Sequence, residues 1–309
     1  MRNQTFVTEF LLLGLSSSLE VRLLLLGLFS AVYTITLMGN ATILILIWLD
    51  PRLHTPMYFF LSHLACVDIC YTSSTVPQML VNLRSPSKHI SLVSCAIQMY
   101  IFLVLARTEC FLLAVMAYDR CAAICHPLHY AFLLNKRVSM NLATAAWASG
   151  FSLPVVHLVL TWQLPFCGSN IIDHFFCEMP AVLKLACADT QGVEKVTLVG
   201  CIFTLLTPLT FIVMTYIRIL ASVLKIRSSQ GQHKAFSTCA SHMTVVLLFY
   251  GSAIFMYMRP KSSYSPGQDK TISLFYSIII PMFNPMVYSL KNKDVKGALI
   301  KVLRRYRTS

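Results

Sequence analysis

Charged residues are scarce in this chain, 12% of 309, where soluble globular proteins carry about a quarter. The scarcity is concentrated in runs. Residues 23–49, 138–172, 196–217, 235–258 and 271–290 contain no Asp, Glu, Lys or Arg. Each reaches the roughly 20 residues that a helix needs to cross about 30 Å of hydrocarbon. A soluble globular domain is excluded. Other absences narrow the class further. There is no internal repeat and no linker long enough for a second domain, which argues against a transporter built from inverted halves. Residues 271–290 contain no Lys, so a retinal Schiff base in the last apolar run is excluded. The segment after that run has no Cys, which excludes a palmitoyl anchor there. The eleven cysteines are too scattered for a zinc site.

Two further apolar stretches do carry ionisable residues. One runs from about Pro56 to Leu80 around Asp68, the other from about Leu92 to Tyr118 around Arg107 and Glu109. Together the runs predict seven membrane spans in one polytopic domain. Loop charge orients them. With the N-terminus outside, 15 Lys and Arg fall on the inner side, including Arg52, Arg120, Lys225, Arg227, Lys234 and the seven of the tail. Nine fall outside and Arg107 within the membrane, which accounts for all 25. The net charge of +13 therefore expresses membrane topology, and with no basic cluster beyond the tail a nucleic-acid partner is not expected.

Asn3-Gln4-Thr5 is a glycosylation acceptor in the expected outer N-terminus, residues 1–22. The run Phe10–Ser17 lacks a strong basic flank and a small-residue cleavage site, so it reads as retained rather than as a signal peptide. Cys95, Cys167, Cys177 and Cys187 fall on the oxidising side. They predict two disulfides, with three pairings open. After the seven-span block 23–290, residues 291–309 place Val295, Ala298, Leu299, Val302, Leu303 and Tyr306 at helical spacing among Lys and Arg. That pattern predicts a basic amphipathic helix along the inner leaflet.

The segment MAYDRCAAICHPLHY, Met116–Tyr130, brings acid, base, thiol and imidazole together. Catalysis or metal binding would need convergent groups. Cys121, Cys125 and His126 share part of a helix face but have no fourth ligand, and no nucleophile–base pair accompanies Asp68 and Glu109. Topology supplies another meaning. Cys95 to Arg120 is about 37 Å of helix, so the two mark opposite membrane faces.

MAYDRCAAICHPLHY resembles the MAYDRYVAICHPLxY signature of olfactory receptors, a branch of the rhodopsin-like G-protein-coupled receptors. Gly39-Asn40, PMYFFLSHLACVD (Pro56–Asp68), HFFCEMP (His174–Pro180), KAFSTCASH (Lys234–His242) and PMFNPMVYSL (Pro281–Leu290) agree in order along nearly the whole chain. Phe249-Tyr250-Gly251 stands where many rhodopsin-like receptors carry Cys-Trp-x-Pro, which is the olfactory pattern. Cys121 and Ala122 depart from the family's Tyr and Val, and imply altered basal activity or coupling.

The resemblance implies an all-α membrane protein, a seven-transmembrane helix bundle with an amphipathic eighth helix. It would sit in the plasma membrane with its N-terminus outside, in the cilia of olfactory sensory neurons. It implies an odorant receptor coupled to a heterotrimeric G protein of the olfactory or Gs type that raises cAMP, not an enzyme. Arg120 would be the switch, paired with Asp119 at rest, and Tyr216 and Tyr288 would rearrange around it. Position alone also allows a snorkelling arginine at a helix end.

Family positions mark the pocket as Met99, Phe102, Leu103 and Ala106, then Gly200, Cys201 and Thr204, then Tyr250, Ala253, Ile254 and Tyr257, and finally Ser277. The set is apolar and suits a small volatile ligand. Phe102 replaces the cation-binding Asp of aminergic receptors, which removes an amine ligand's main contact. The Tyr257 hydroxyl is expected to meet a ligand carbonyl or alcohol.

The resemblance pairs Cys95 with Cys177 and leaves Cys167 with Cys187. Asp68 and Glu109 are buried acids that each require a partner. With Asn40 and Asn284 nearby they suggest a sodium site or a shared proton, against a purely structural polar cluster. Arg107, where the family has a small residue, points away from the inward stripe of its helix. A polar partner on the next two spans, His157 or Thr204, is expected. The competing functions are a non-olfactory receptor for a small carboxylate or lipid-like metabolite, with Arg259 and Lys261 capturing the acid, and a transporter.

Overall fold

The computed structural model describes residues 7–85, 88–167, 169–225, 228–259, 265–289 and 293–307. Asn3, Arg227 and Lys261, and the side chain of Lys234, lie outside the described residues. Seven long helices form the bundle: α1 Leu19–Leu49, α2 Pro56–Arg84, α3 Leu92–Cys125, α4 Lys136–Trp162, α5 Gln191–Val223, α6 Ser229–Met258 and α7 Pro266–Tyr288. A final helix, α8 Lys293–Arg307, follows. Among the described residues six helices are long and apolar enough to cross a membrane by length and composition. The exception in the bundle is α2, 29 residues long. Its polarity is turned inward, with Asp68, Thr72, Thr75 and Asn82 all buried, so average hydropathy understates how its surface meets lipid.

Local chemistry sets the ends. The Ser91 hydroxyl accepts from Ser94 N–H at 3.1 Å to cap α3, and the Asn135 amide oxygen accepts from Val138 N–H at 3.0 Å to cap α4. Pro56 opens α2, where a missing N–H costs nothing. The short connection between α1 and α2 is closed by Asp50, whose carboxylate takes Arg52 Nη2 at 2.6 Å. The uncharged run 138–172 is longer than its helix, which ends at Trp162. Beyond it Phe166 bridges to Ala186 and Ile171–Ile172 joins the outer sheet.

Prolines shape α5 and α7. A π-helical turn, Ile202–Leu206, precedes Pro208, and a second, Phe275–Ile279, precedes Pro281. Proline lacks an N–H and pushes on the carbonyl of the preceding turn, and a widened turn absorbs both defects.

Helix α3 is the axis of the bundle. Of its most apolar window, 72% is buried inside the protein, against 17% for α1. Gly150 lets α4 approach it closely, since a Cβ there would stand 2.0 Å from Thr108 Oγ1 and 2.9 Å from the Val104 carbonyl oxygen. Trp147 Nε1 donates to His63 Nδ1 at 3.2 Å and fastens α4 to α2.

The outer end carries a small sheet. Strand β1 Glu9–Leu12 lies between β2 His89–Ser91, antiparallel, and β3 Ile171–Ile172, parallel. Its alternation buries Phe10 and Leu12 and leaves Glu9 and Leu11 less covered. Disulfides join Cys95 to Cys177 and Cys167 to Cys187, with Cα atoms 5.4 and 5.8 Å apart. The other seven cysteines are free. At the inner end Val295 and Ala298 of α8 are buried against the bundle and Val302 is half-buried. Leu299 is exposed, and the side chains of Leu303 and Tyr306 lie outside those described.

Gly150→Ala should force α4 away from α3 and cost about 1–3 kcal/mol. Surface expression and the unfolding midpoint of the purified receptor should both fall, and Thr108→Ala should restore part of the loss. Wild-type behaviour of Gly150→Ala would remove the close approach as a requirement.

Candidate ligand site and switch residues

Phe102 stands at the centre of an aromatic cluster in the outer half of the bundle. Its ring centroid is 4.8 Å from that of Tyr71 on α2, in a stacked arrangement, 4.8 Å from Phe176 of the outer loop and 5.8 Å from Tyr276 on α7. Met99 and Leu103 are buried beside it and Ala106 is half-buried. The Tyr71 hydroxyl is buried with no hydrogen-bond partner. Phe176 is carried there by its neighbour. Cys177 is bonded to Cys95 at the top of α3, and its N–H donates to Gln98 Oε1 at 2.9 Å. Gln98 in turn donates through Nε2 to the Ser74 carbonyl of α2 at 2.9 Å.

The next residue, Glu178, is almost wholly buried. Tyr257 of α6 donates its hydroxyl to Oε1 at 3.1 Å and Tyr276 donates to the same oxygen. Ser273 of α7 donates to Oε2 at 2.9 Å, and His174 Nε2 contacts Oε2 at 3.1 Å. Burial pushes the Glu178 carboxyl up, but His174 and the Tyr276 and Ser273 hydroxyls together outweigh it and hold the group below the usual carboxylate value. Four donors therefore converge on one carboxylate from the loop, α6 and α7.

The Tyr257 hydroxyl, expected from sequence to meet a ligand carbonyl or alcohol, is engaged by Glu178 here. Tyr71, His174, Phe176, Glu178, Ser273 and Tyr276 were not among the residues singled out from sequence. HFFCEMP was a landmark there, but an acid one residue from a bridged cysteine is the signal that marks it as drawn inward. Of the other expected pocket residues, Cys201, Thr204, Tyr250, Ala253 and Ser277 are buried, and Gly200 and Ile254 are half-buried. Their polar atoms are used locally. Thr204 Oγ1 donates to the Gly200 carbonyl at 2.8 Å, Ser277 Oγ to the Ser273 carbonyl, and Tyr250 Oη to the Cys110 carbonyl of α3 at 2.8 Å.

Arg107 is buried between α3, α4 and α5, with Nη2 3.2 Å from His157 Nδ1. His157 owes its place to Gly200, where a Cβ would stand 2.6 Å from Nε2. Thr204, the other partner considered from sequence, bonds within its own helix.

Lower in the bundle, Asn284 Nδ2 of α7 donates to both oxygens of Asp68 on α2, at 3.0 and 3.1 Å. Both oxygens of buried Glu109 and Oδ1 of Asn284 have no hydrogen-bond partner. Asn40 donates to the Thr36 and Pro281 carbonyls and ties α1 to α7 instead of reaching Asp68. Among the described residues no group of three or more His, Cys, Asp and Glu converges. Two carboxylates and an amide oxygen are nevertheless the hard oxygen donors that suit an alkali cation.

At the inner end Asp119 and Arg120 form no ion pair, contrary to the expected resting state. Neighbours in a helix point about 100° apart. Asp119 instead accepts the Tyr130 hydroxyl at 2.7 Å. Tyr216 of α5, expected to reach Arg120 only in the active state, is turned to α6. Its hydroxyl lies 2.7 Å from His242 Nδ1 of α6, with the two rings stacked. The Tyr288 hydroxyl and Arg120 Nε are buried with no hydrogen-bond partner.

Tyr130→Phe removes a hydrogen bond to a charged acceptor and should cost about 1.5–3 kcal/mol. Denaturation of the purified variant should occur at a lower temperature than wild type, and an unchanged midpoint would show that Asp119 is held by other groups.

The sequence model of the family described as olfactory receptor matches residues 29–306. The chain is 54% identical over 308 residues to olfactory receptor 2A5 of Homo sapiens, covering 99% of both chains. It is 53% identical over 305 residues to olfactory receptor 2A7 of Mus musculus, covering 99% of this chain and 98% of that one. With olfactory receptor 2A12 of Homo sapiens the identity is 52% over 306 residues and 99% of each chain. Seven packed helices, an aromatic cluster in the outer half of the bundle and a family match along nearly the whole chain have one meaning: the chain is a multi-pass membrane protein of the olfactory receptor family, a G-protein-coupled receptor and not an enzyme.

Proposed function

We propose that this receptor binds small, mostly apolar volatile ligands within its helix bundle and activates a stimulatory G protein of the olfactory or Gs type, raising cAMP. The observation that carries the reading is the setting of Phe102. At the level where a cationic ligand would need an acid, the chain supplies four aromatic rings and one unengaged hydroxyl, that of Tyr71. Such a site rewards apolar surface and one weak polar contact. A receptor for carboxylates is less well supported, because Arg259 is ion-paired with Asp269 and Lys184 Nζ stands 3.9 Å from the same acid.

In this reading the N-terminus and the sheet face outward, α8 follows the inner leaflet, and the receptor resides in the ciliary plasma membrane of olfactory neurons. Asn3 would carry glycan. The inner ends of α3, α5 and α6 form the transducer face. Cys121 and Cys239 pack there with Ile219 and Val223. Outward movement of α6 would part Tyr216 from His242 and free Tyr216 and Tyr288 to engage Arg120. Asp68, Glu109 and Asn284 would hold a sodium ion that offsets the charge of two buried carboxylates.

Arg120→Ala should abolish odorant-driven cAMP in cells where the variant still reaches the surface, and an unchanged response would sink the switch. For the cation, the wild-type receptor should unfold at a higher temperature in sodium chloride than in choline chloride, and Glu109→Gln should erase the difference. Equal midpoints for wild type in the two salts would leave the acids as a structural cluster or a shared proton.

A further inference from the structure

The four donors on Glu178 are not equivalent. His174, Ser273 and Tyr276 are buried, whereas Tyr257 is half-buried. Alone of the four, Tyr257 also lines a cavity of about 590 Å³ between the loop helix Met179–Leu183, the outer end of α5 and the outer end of α6. Met179, Pro180, Leu183, Leu198 and Met258 give that cavity its apolar walls, and Lys184, Glu194, Thr197 and Arg259 complete the lining. Its size lies within the range of roughly 300–1,000 Å³ that small-molecule sites occupy. The Tyr257 side chain thus separates an apolar cavity on one side from a saturated carboxylate on the other.

We propose that this cavity and Glu178 together form a binding site for small aliphatic alcohols, in which the ligand hydroxyl takes the place of the Tyr257 hydroxyl on Glu178. The inference deepens the odorant-receptor reading and rests on it, by naming the ligand class. The chemistry follows from the acceptor. An ionised carboxylate accepts and does not donate. A hydroxyl that displaces Tyr257 keeps Glu178 satisfied, and the alkyl chain fills the cavity. A ketone or ester brings lone pairs against lone pairs and leaves a buried charged acceptor short of a donor. A carboxylate ligand sets like charge against Glu178, and the two cations of the lining, Lys184 and Arg259, are already drawn to Asp269. Displacement also frees α6 from the loop at this point, because among the described contacts the Tyr257 hydroxyl bond is the one that α6 makes to Glu178.

The sign of one substitution decides the matter. Tyr257→Phe removes the competing donor, so alcohols should bind more tightly to the variant than to wild type. If the hydroxyl of Tyr257 held the ligand directly, the same change would weaken them.

The test uses full-length receptor purified in detergent, with 1-octanol, 2-octanone and octanoic acid titrated against the thermal unfolding midpoint. This readout needs no G protein. Wild type should respond to 1-octanol at about tenfold lower concentration than to 2-octanone, and octanoic acid should be weakest. Tyr257→Phe should respond at lower 1-octanol concentration than wild type, and Glu178→Gln should lose the preference for the alcohol. The proposal is overturned by equal response to alcohol and ketone, by a stronger response to the acid, by no response to any of the three, or by weaker 1-octanol binding to Tyr257→Phe. cAMP measured in parallel in cells keeps the two readings apart, since alcohol binding without cAMP refutes the proposed coupling and leaves the site intact.

Discussion

Hydrocarbon does not hydrogen-bond, and that one property of the solvent arranges most of this molecule. Each polar group between the membrane faces must find its partner inside the bundle or bear the full cost of going without. Thr36, Thr72, Thr108 and Thr204 return their hydroxyls to carbonyls of their own helices. Asn40 spends its amide across the α1–α7 interface, beside a proline that frees part of the backbone. Among the groups that remain unmatched are the Glu109 oxygens, Asn284 Oδ1, Arg120 Nε and the Tyr288 hydroxyl. These are the residues for which exchange of partners, or an added ion, would lower the energy most.

Much of the fold was legible because membrane insertion writes itself in long, coarse patterns. Runs without charge, basic inner loops and a basic amphipathic tail are signals summed over twenty residues. Helix α2 was read as a span because Asp68 was allowed as a buried acid, where composition alone passes over it. The pairing that brings Cys177 to Cys95 followed from the likeness to olfactory receptors, since the residues by themselves left three pairings open. The face of Arg107 was legible from its angle on α3.

What the sequence did not reveal is local and three-dimensional. Glu178 acquires its importance from donors 79 to 98 residues away, on α6 and α7, and no periodicity encodes that meeting. The resting partner of Asp119 was misread for a similar reason. Adjacent residues seem natural partners on paper, but a helix turns them apart, and Tyr130 arrives from the loop that follows. The uncharged run 138–172 likewise continues past its helix, which ends at Trp162. Apolar composition does not distinguish chain inside the bilayer from chain packed beneath an outer sheet.

The sheet at the outer end has a consequence for biogenesis. Strand β1 precedes the first span, yet one of its neighbours lies far along the chain, with Asn170 donating to the Glu9 carbonyl across 161 residues. During synthesis α1 enters the membrane while this strand has nothing to pair with. It must wait as an open edge until four helices have been inserted and the segment around Ile171 has emerged. Contacts so distant in sequence form slowly, and an unpaired apolar edge is a surface that chaperones bind and that promotes aggregation. Completion of the sheet is thus a late step in maturation, and the interval before it is when a nascent receptor is most exposed to retention and degradation.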